Sequence, residues 1–410
     1  MFTLTVDATK KCNLNCSYCY KGESCDESID FDRFVAAFEK VWPTVVEMSG
    51  DPKVFCLGFM GGEPTCQFDM VQKIVEFAVA KCERNGVTLK WGMTSNLTLL
   101  DEQKVLFVKQ TGGQIHSSID GDEFSQNVNR PTASGSGSFE EVMKGINNLK
   151  KFDMLLGARM TFTPVTLPYL VENLKFVNSL GYKYIAAFPS TGHIPWEPYL
   201  DEVREIARKI GVERMHDLKG IDRLRPWDDC AYHNTHGLKI NNSHCGACRS
   251  AMAIGVDGCF YPCHRFTDMH NKEKFKIGDH DNFKSTYSAM RVEFEKSFSA
   301  SCVDCEVYPI CRGGCWAENL NASGSLQGIN SDLCGFNKSF MEGVREAQIV
   351  FPKSMRPPSL SMKGEGSCVT TDTCIVCDCS SCSSCDSCES CWYLECSGCV
   401  GGPEYEIRPD

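Results

Sequence analysis

The sequence predicts an α/β protein, and three observations predict it. Short apolar runs alternate about six times with longer stretches, as strand and helix do in α/β folds. The runs are apolar on both faces, as buried parallel strands are. The stretches between them carry apolar residues three and four apart and close on Gly or Pro signals, as amphipathic helices do. The alternating run MFTLTVDAT, ahead of Cys12, is the first expected strand. FDRFVAAFEKVW follows as a helix, then VFCLGFM at 54–60 as a strand, QFDMVQKIVEFAVAKCERNG as a helix and LKWGMTS at 89–95 as a strand. QIHSSID at 114–120, the helix SFEEVMKGINNLKKF, LLGARMTFT at 155–163 and YKYIAAFP at 182–189 complete the series. This order implies a partial (β/α)6, TIM-like barrel over residues 1–215. In such barrels chemistry gathers where strands end and loops begin.

Composition limits what else the chain can be. It has 410 residues, a net charge of -11 and 27 cysteines. A chain this long has enough material for a core without disulfide staples, which excludes a small secreted disulfide scaffold. The amino terminus lacks the charged-then-apolar order of a secretory signal, and no run approaches about eighteen apolar residues. The expectation is therefore a cytoplasmic protein with no membrane span, in which dense cysteine means metal or redox chemistry. Mild acidity argues against nucleic acid as a partner. The cysteines fall in zones: Cys12, Cys16 and Cys19 at the start, ten between Cys230 and Cys334, and ten in residues 368–410. Residues 216–350 are thus expected to form a small cysteine-rich domain. Residues 351–367, rich in Pro, Ser, Gly and Lys, read as a linker. The tail 368–410 has eight acids, one arginine and little apolar surface, so disorder is expected there.

Cys12, Cys16 and Cys19 stand in CNLNCSYCY after the first strand, a CxxxCxxC spacing. Three thiolates this close can hold three irons of a four-iron cluster and leave the fourth iron open to a chelating small molecule. A zinc site is the alternative, but zinc needs a fourth ligand at short spacing. Together with MGGEP at Met60 to Pro64 and SIDG at Ser118 to Gly121, the motif resembles those of the radical S-adenosylmethionine enzymes. The resemblance implies that the cofactor's amine and carboxylate chelate the open iron. It also implies that Tyr18, Met60, Gly61, Gly62 and Glu63 line the cofactor's pocket and that Ser118 and Asp120 meet its ribose. Reductive cleavage of the cofactor would then yield a 5'-deoxyadenosyl radical. Arg159 could pair with the cofactor carboxylate, or be an ordinary surface arginine.

Further on, Cys248, nine residues, Gly258, four residues and Cys263 precede Cys302, Cys305, Cys311, Cys315 and Cys334 at spacings of two, five and three and then a longer gap. This order resembles the SPASM extension of the same enzymes. The resemblance implies two auxiliary four-iron clusters: Cys302, Cys305, Cys311 and Cys334 on the outer one, and Cys248, Cys263 and Cys315 on the inner one. That makes three [4Fe-4S] clusters in all. Cys245 is the nearest candidate for the inner cluster's fourth ligand and Cys230 the next; if neither binds, that iron stays open. Auxiliary clusters could also serve only to fasten the domain. Sulfatase-activating members carry an aspartate directly after the cysteine matching Cys263, where this chain has His264, in YPCHRF. His264 is a candidate proton relay, or a hydrogen-bond donor to sulfur, and YPCHRF looks closer to the thioether-forming peptide maturases.

In the tail, five cysteines have an acid four residues on: Cys368 and Asp372, Cys374 and Asp378, Cys382 and Asp386, Cys385 and Glu389, Cys391 and Glu395. Some thioether-forming maturases join cysteine to an acidic residue at that spacing. The expectation is an enzyme that cross-links a cysteine-rich peptide, with residues 368–410 as a substrate carried in cis and a flavodoxin or ferredoxin as reductant. The alternatives are formylglycine-type oxidation of a Cys or Ser in a separate protein, and a metal-binding protein with a soft-metal tail.

Overall fold

The computed structural model describes residues 2–350 apart from 23, 193, 237–244, 278–282, 296–301 and 303. The expectations for the linker and tail lie outside these residues. Nine strands form one sheet: β1 (Phe2–Thr9), β2 (Val54–Gly61), β3 (Thr88–Ser95), β4 (Gly113–Ser118), β5 (Gly157–Phe162), β6 (Tyr184–Pro189), β7 (Arg223–Arg225), β8 (Ala251–Ile254) and β9 (Phe260–Tyr261). Their spatial order is β7-β6-β5-β4-β3-β2-β1-β8-β9. All pairings are parallel except β8 with β9. Helices α1 (Phe31–Met48), α2 (Phe68–Asn85), α3 (Glu102–Gln110), α4 (Glu123–Asn129), α5 (Phe139–Lys151), α6 (Leu170–Ser179) and α7 (Leu200–Glu213) alternate with the first strands. The expected α/β barrel is thus what forms. Residues 216–350 extend its sheet at both edges, because β7 pairs with β6 and β8 with β1.

Strand β1 shows why these residues make this layer. Phe2, Leu4, Val6 and Ala8 are fully buried. Register sets Phe2 beside Phe55, whose ring meets Phe38 of α1 at 5.7 Å, so this face carries the helices. Each large apolar side chain so buried contributes about 1.5–3 kcal/mol. Thr3, Thr5, Asp7 and Thr9 alternate onto the concave face. Helix starts follow their caps: Asp30 accepts from Arg33 N at 2.9 Å ahead of α1, and Asp101 from Lys104 N at 2.9 Å ahead of α3.

After α8 (Trp227–His236), β8, β9, α9 (Phe283–Glu295), α10 (Tyr308–Cys311) and α11 (Trp316–Ser323), the chain returns to the barrel through α12 (Ser331–Val350). Asp332 accepts from Trp196 N at 2.6 Å, and the Trp196 ring lies 4.9 Å from Phe336. A Cβ on Gly343 would stand 2.1 Å from the Arg204 carbonyl oxygen, so α12 and α7 pack backbone to backbone at a point only glycine permits.

Candidate functional site

The loop after β1 carries Cys12, Cys16 and Cys19, and its backbone is pinned from several sides. Cys12 N donates to Ser24 Oγ at 2.8 Å, Asn15 N to Pro131 O at 2.8 Å and Ser17 N to Asn129 O at 2.9 Å. Asn96, just past β3, donates to Asn13 Oδ1 at 3.0 Å and stands 4.0 Å from Cys12 Sγ. Burial pushes the Cys12 thiol up to about 12, with Glu63 and Cys16 adding to it. Burial pushes Cys16 up to about 11, against the opposing pull of Arg130. Both are therefore neutral thiols by themselves, and binding iron would displace their protons. Three soft donors on one loop fit a four-iron cluster with one open iron.

The glycine motif is pressed against this loop. Gly62 N donates to Thr9 O at 2.8 Å and Glu63 N to Lys11 O at 2.9 Å. A Cβ on Gly61 would stand 2.3 Å from Thr9 O, and one on Gly62 2.3 Å from Lys11 O. Gly61 also has φ +116°. Backbone contact this close explains why both positions are glycine. Glu63 is buried, and its Oε1 accepts from Thr65 N at 3.1 Å, Thr65 Oγ1 at 2.7 Å and Ser95 Oγ at 2.8 Å. Its Oε2 accepts from Asn96 N at 2.7 Å. The carboxylate thus ties the end of β3 to the glycine motif, so what this stretch offers a ligand is its backbone. Met60 lies beside Asp7 in the β1–β2 register, on the concave face.

Asp120 is similarly engaged. Tyr18 Oη donates to Oδ2 at 2.5 Å, while Thr161 N at 2.8 Å and Arg130 Nη2 at 3.0 Å donate to Oδ1. Arg130 Nε lies 3.0 Å from Oδ2. Arg130 also stacks over the Tyr18 ring, 5.4 Å from its centroid. Tyr18 and Asp120, expected from sequence to meet the cofactor, are thus brought into direct contact. Arg130, which joins them, carries no sequence signal beyond standing before Pro131. Ser118 is buried and pairs in register with Arg159, so the two share the concave face.

His264 is buried, its ring 5.9 Å from that of Tyr20, and its carbonyl accepts from Lys21 Nζ at 3.0 Å. Burial drives its pKa well below the usual histidine range, and Lys21, Arg265 and Arg159 push the same way, so the ring is neutral near pH 7. Arg265 lies 4.3 Å over the Tyr20 ring and pairs with Glu318, which also accepts from Thr191 Oγ1 at 2.9 Å. The second constellation divides into two groups of thiols. Burial, then Cys263, Cys315 and Cys248, raise the pKa of Cys245. Burial, then Cys302, Cys305 and Cys334, raise that of Cys311. Cys230 feels Cys311 but none of the first group. The thiols thus fall into two sets of four, though among the described residues no three such side chains already stand together closely enough to hold a metal ion.

Residues 6–177 match the Radical SAM superfamily. The chain carries a radical SAM domain and is an enzyme that uses S-adenosylmethionine. Among its relatives is the cysteine-type anaerobic sulfatase-maturating enzyme of Clostridium novyi, 24% identical over 357 residues, 82% of this chain and 92% of that one. The structure resembles native anSMEcpe with bound AdoMet at a TM-score of 0.68 and 18% identity, covering 85% of this chain and 98% of that one. It also resembles Streptococcus suis SuiB bound to precursor peptide SuiA, at 0.58 and 15%, covering 81% and 75%. Among the described residues no helix is long and apolar enough to cross a membrane.

Proposed function

We propose that this enzyme modifies a cysteine-rich peptide by forming thioether cross-links, with its own residues 368–410 as substrate. The observation that carries the reading is the tail itself, in which five of ten cysteines have an acid four residues on. Cys12, Cys16 and Cys19 would hold the radical-generating cluster, with S-adenosylmethionine between the glycine motif and Ser118. When bound, these groups would supply a 5'-deoxyadenosyl radical able to take a hydrogen from Cα or Cβ of an acceptor residue, and Cys245, Cys248, Cys263 and Cys315 would hold a group able to take up the surplus electron. Arg265, beside Cys263 and Cys315, would stabilise the negative charge of a thiolate-bound cluster. A linker of this length spans roughly 20–24 Å, which would hold the tail at about millimolar effective concentration. A flavodoxin or ferredoxin in the cytoplasm would supply electrons. SuiB, described with a precursor peptide, supports a peptide substrate. The names of the sulfatase-maturating relatives favour a second reading, oxidation of a Cys or Ser in a separate protein. Against it stands the neutral, buried His264 where a carboxylate is expected.

The test is to reconstitute the chain anaerobically, add reductant and S-adenosylmethionine, digest and weigh the tail fragment. Each cross-link removes two hydrogens and protects one cysteine from alkylation. An unchanged, fully alkylatable tail with 5'-deoxyadenosine still released would sink the cis-substrate reading. Cluster assignment has its own test. Cys245→Ala is expected to lower iron from about twelve to about eight per chain, and Cys230→Ala to leave it unchanged. The reverse pattern would move the fourth ligand to Cys230.

A further inference from the structure

Asp7 is buried at 1% exposure on the concave face of β1, yet its Oδ1 has no hydrogen-bond partner among the described residues. Its Oδ2 accepts from Lys21 Nζ at 2.5 Å and from Thr267 Oγ1 at 2.5 Å. A buried acceptor left unmade costs free energy, and native proteins keep few without a use. The position suggests one. Met60 of the glycine motif is its register neighbour. Lys21 follows Cys19 by two residues and also reaches the His264 carbonyl at 3.0 Å and Asp268 at 3.2 Å. Asp7 therefore sits where the first cysteine loop, the glycine motif and the Cys263–His264 turn meet. Position 264 brings no carboxylate to this place, and β1 does.

We infer that Asp7 Oδ1 is the proton acceptor for the substrate thiol, an assignment that rests on the thioether reading above. The substrate S–H bond breaks, an O–H bond forms on Asp7, and the bonding pair stays on sulfur as the nucleophile. No further reactant enters this step, and Lys21 stays protonated throughout, holding Oδ2. Burial raises the Asp7 carboxyl pKa, Lys21 and Thr267 oppose that, and Asp268 adds to it. A carboxylate raised in this way is the better base for a thiol.

The first test needs no cofactor. The full chain is mixed with an excess of a synthetic peptide bearing one Cys-x3-Asp unit, and the S–H stretching band is taken as the difference from the same peptide with Ser for Cys. Binding to the wild-type chain is expected to shift the band to lower frequency, and Asp7→Asn to remove the shift. No shift with the wild-type chain overturns the inference. So does a shift that S-adenosylmethionine abolishes, since Oδ1 would then belong to the cofactor's ammonium group. In the loaded enzyme, Asp7→Asn is expected to lower cross-linked product by about 100-fold or more while 5'-deoxyadenosine release stays within a few-fold. A merely structural role would lower both together. If the wild-type enzyme makes no thioether, the functional reading has failed. If Asp7→Asn makes it at the wild-type rate, only the proton acceptor has. Should Asp7→Asn not fold, Asp7→Ser takes its place, and a shift that persists in it overturns the inference.

Discussion

Cys16→Ala is expected to abolish 5'-deoxyadenosine release while leaving the iron of the auxiliary groups in place. Removing a partner that only orients a metal ligand costs about 10–100-fold, and losing a ligand from a three-thiolate set should exceed that. The fold should tolerate the change. Cys16 is a neutral thiol with its pKa near 11, so no charge is left unpaired by its removal. The loop is held through backbone groups on either side, by Asn15 N on Pro131 O and Ser17 N on Asn129 O. Chromatography of the released nucleoside and iron analysis of the same sample check both halves. The expected iron is about eight per chain, the content of two four-iron clusters. Release at even a tenth of the wild-type rate would remove Cys16 from the radical-generating set.

The contrast between Cys16 and its surroundings marks what sequence could show. CxxxCxxC, MGGEP and SIDG are legible because each is a contiguous run whose spacing is itself the chemistry. The first six strands are legible because each has at least six residues on which burial can leave a pattern. Strands β7, β8 and β9 have three, four and two residues, too few for any period, so the way residues 216–350 complete the sheet was not legible. Asn96, Arg130 and the Asp7–Lys21 pair were missed for another reason. Asn96 on Asn13 and Lys21 on the His264 carbonyl act across long stretches of chain, and Arg130 reaches Asp120 only because the chain folds back after α4. Asp120 shows the opposite limit. Its motif was visible, but only the fold shows that both its oxygens are already taken by Tyr18, Arg130 and Thr161.

Arg130→Met is the substitution expected to cost most stability, because it strands Asp120. The Asp120 side chain is fully buried and that of Arg130 is 10% exposed, and the guanidinium spans both carboxylate oxygens. Breaking a buried pair by removing one partner costs about 3–5 kcal/mol, since the remaining charge has lost its counter-ion and cannot reach water. Tyr18 and Thr161 still donate to Asp120 and should limit the loss to the lower part of that range. Removing both charges, as in Arg130→Met with Asp120→Leu, leaves no stranded ion and should recover much of the difference. Denaturant unfolding of the full chains, compared as a double-mutant cycle, measures this. A single-variant loss under about 1 kcal/mol would mean that the pair behaves as a solvated surface bridge. The same substitution reaches the chemistry through Cys16. Arg130 lowers that thiol's pKa by its charge and by a hydrogen bond, against the effect of burial. Without it the thiolate is harder to form, so iron should load more weakly on the first loop and nucleoside release should fall by about 10–100-fold, the usual cost of a lost outer partner. Arg130→Lys separates the two roles. It keeps the charge near Cys16 but cannot span both oxygens of Asp120, so it should restore iron loading more fully than stability.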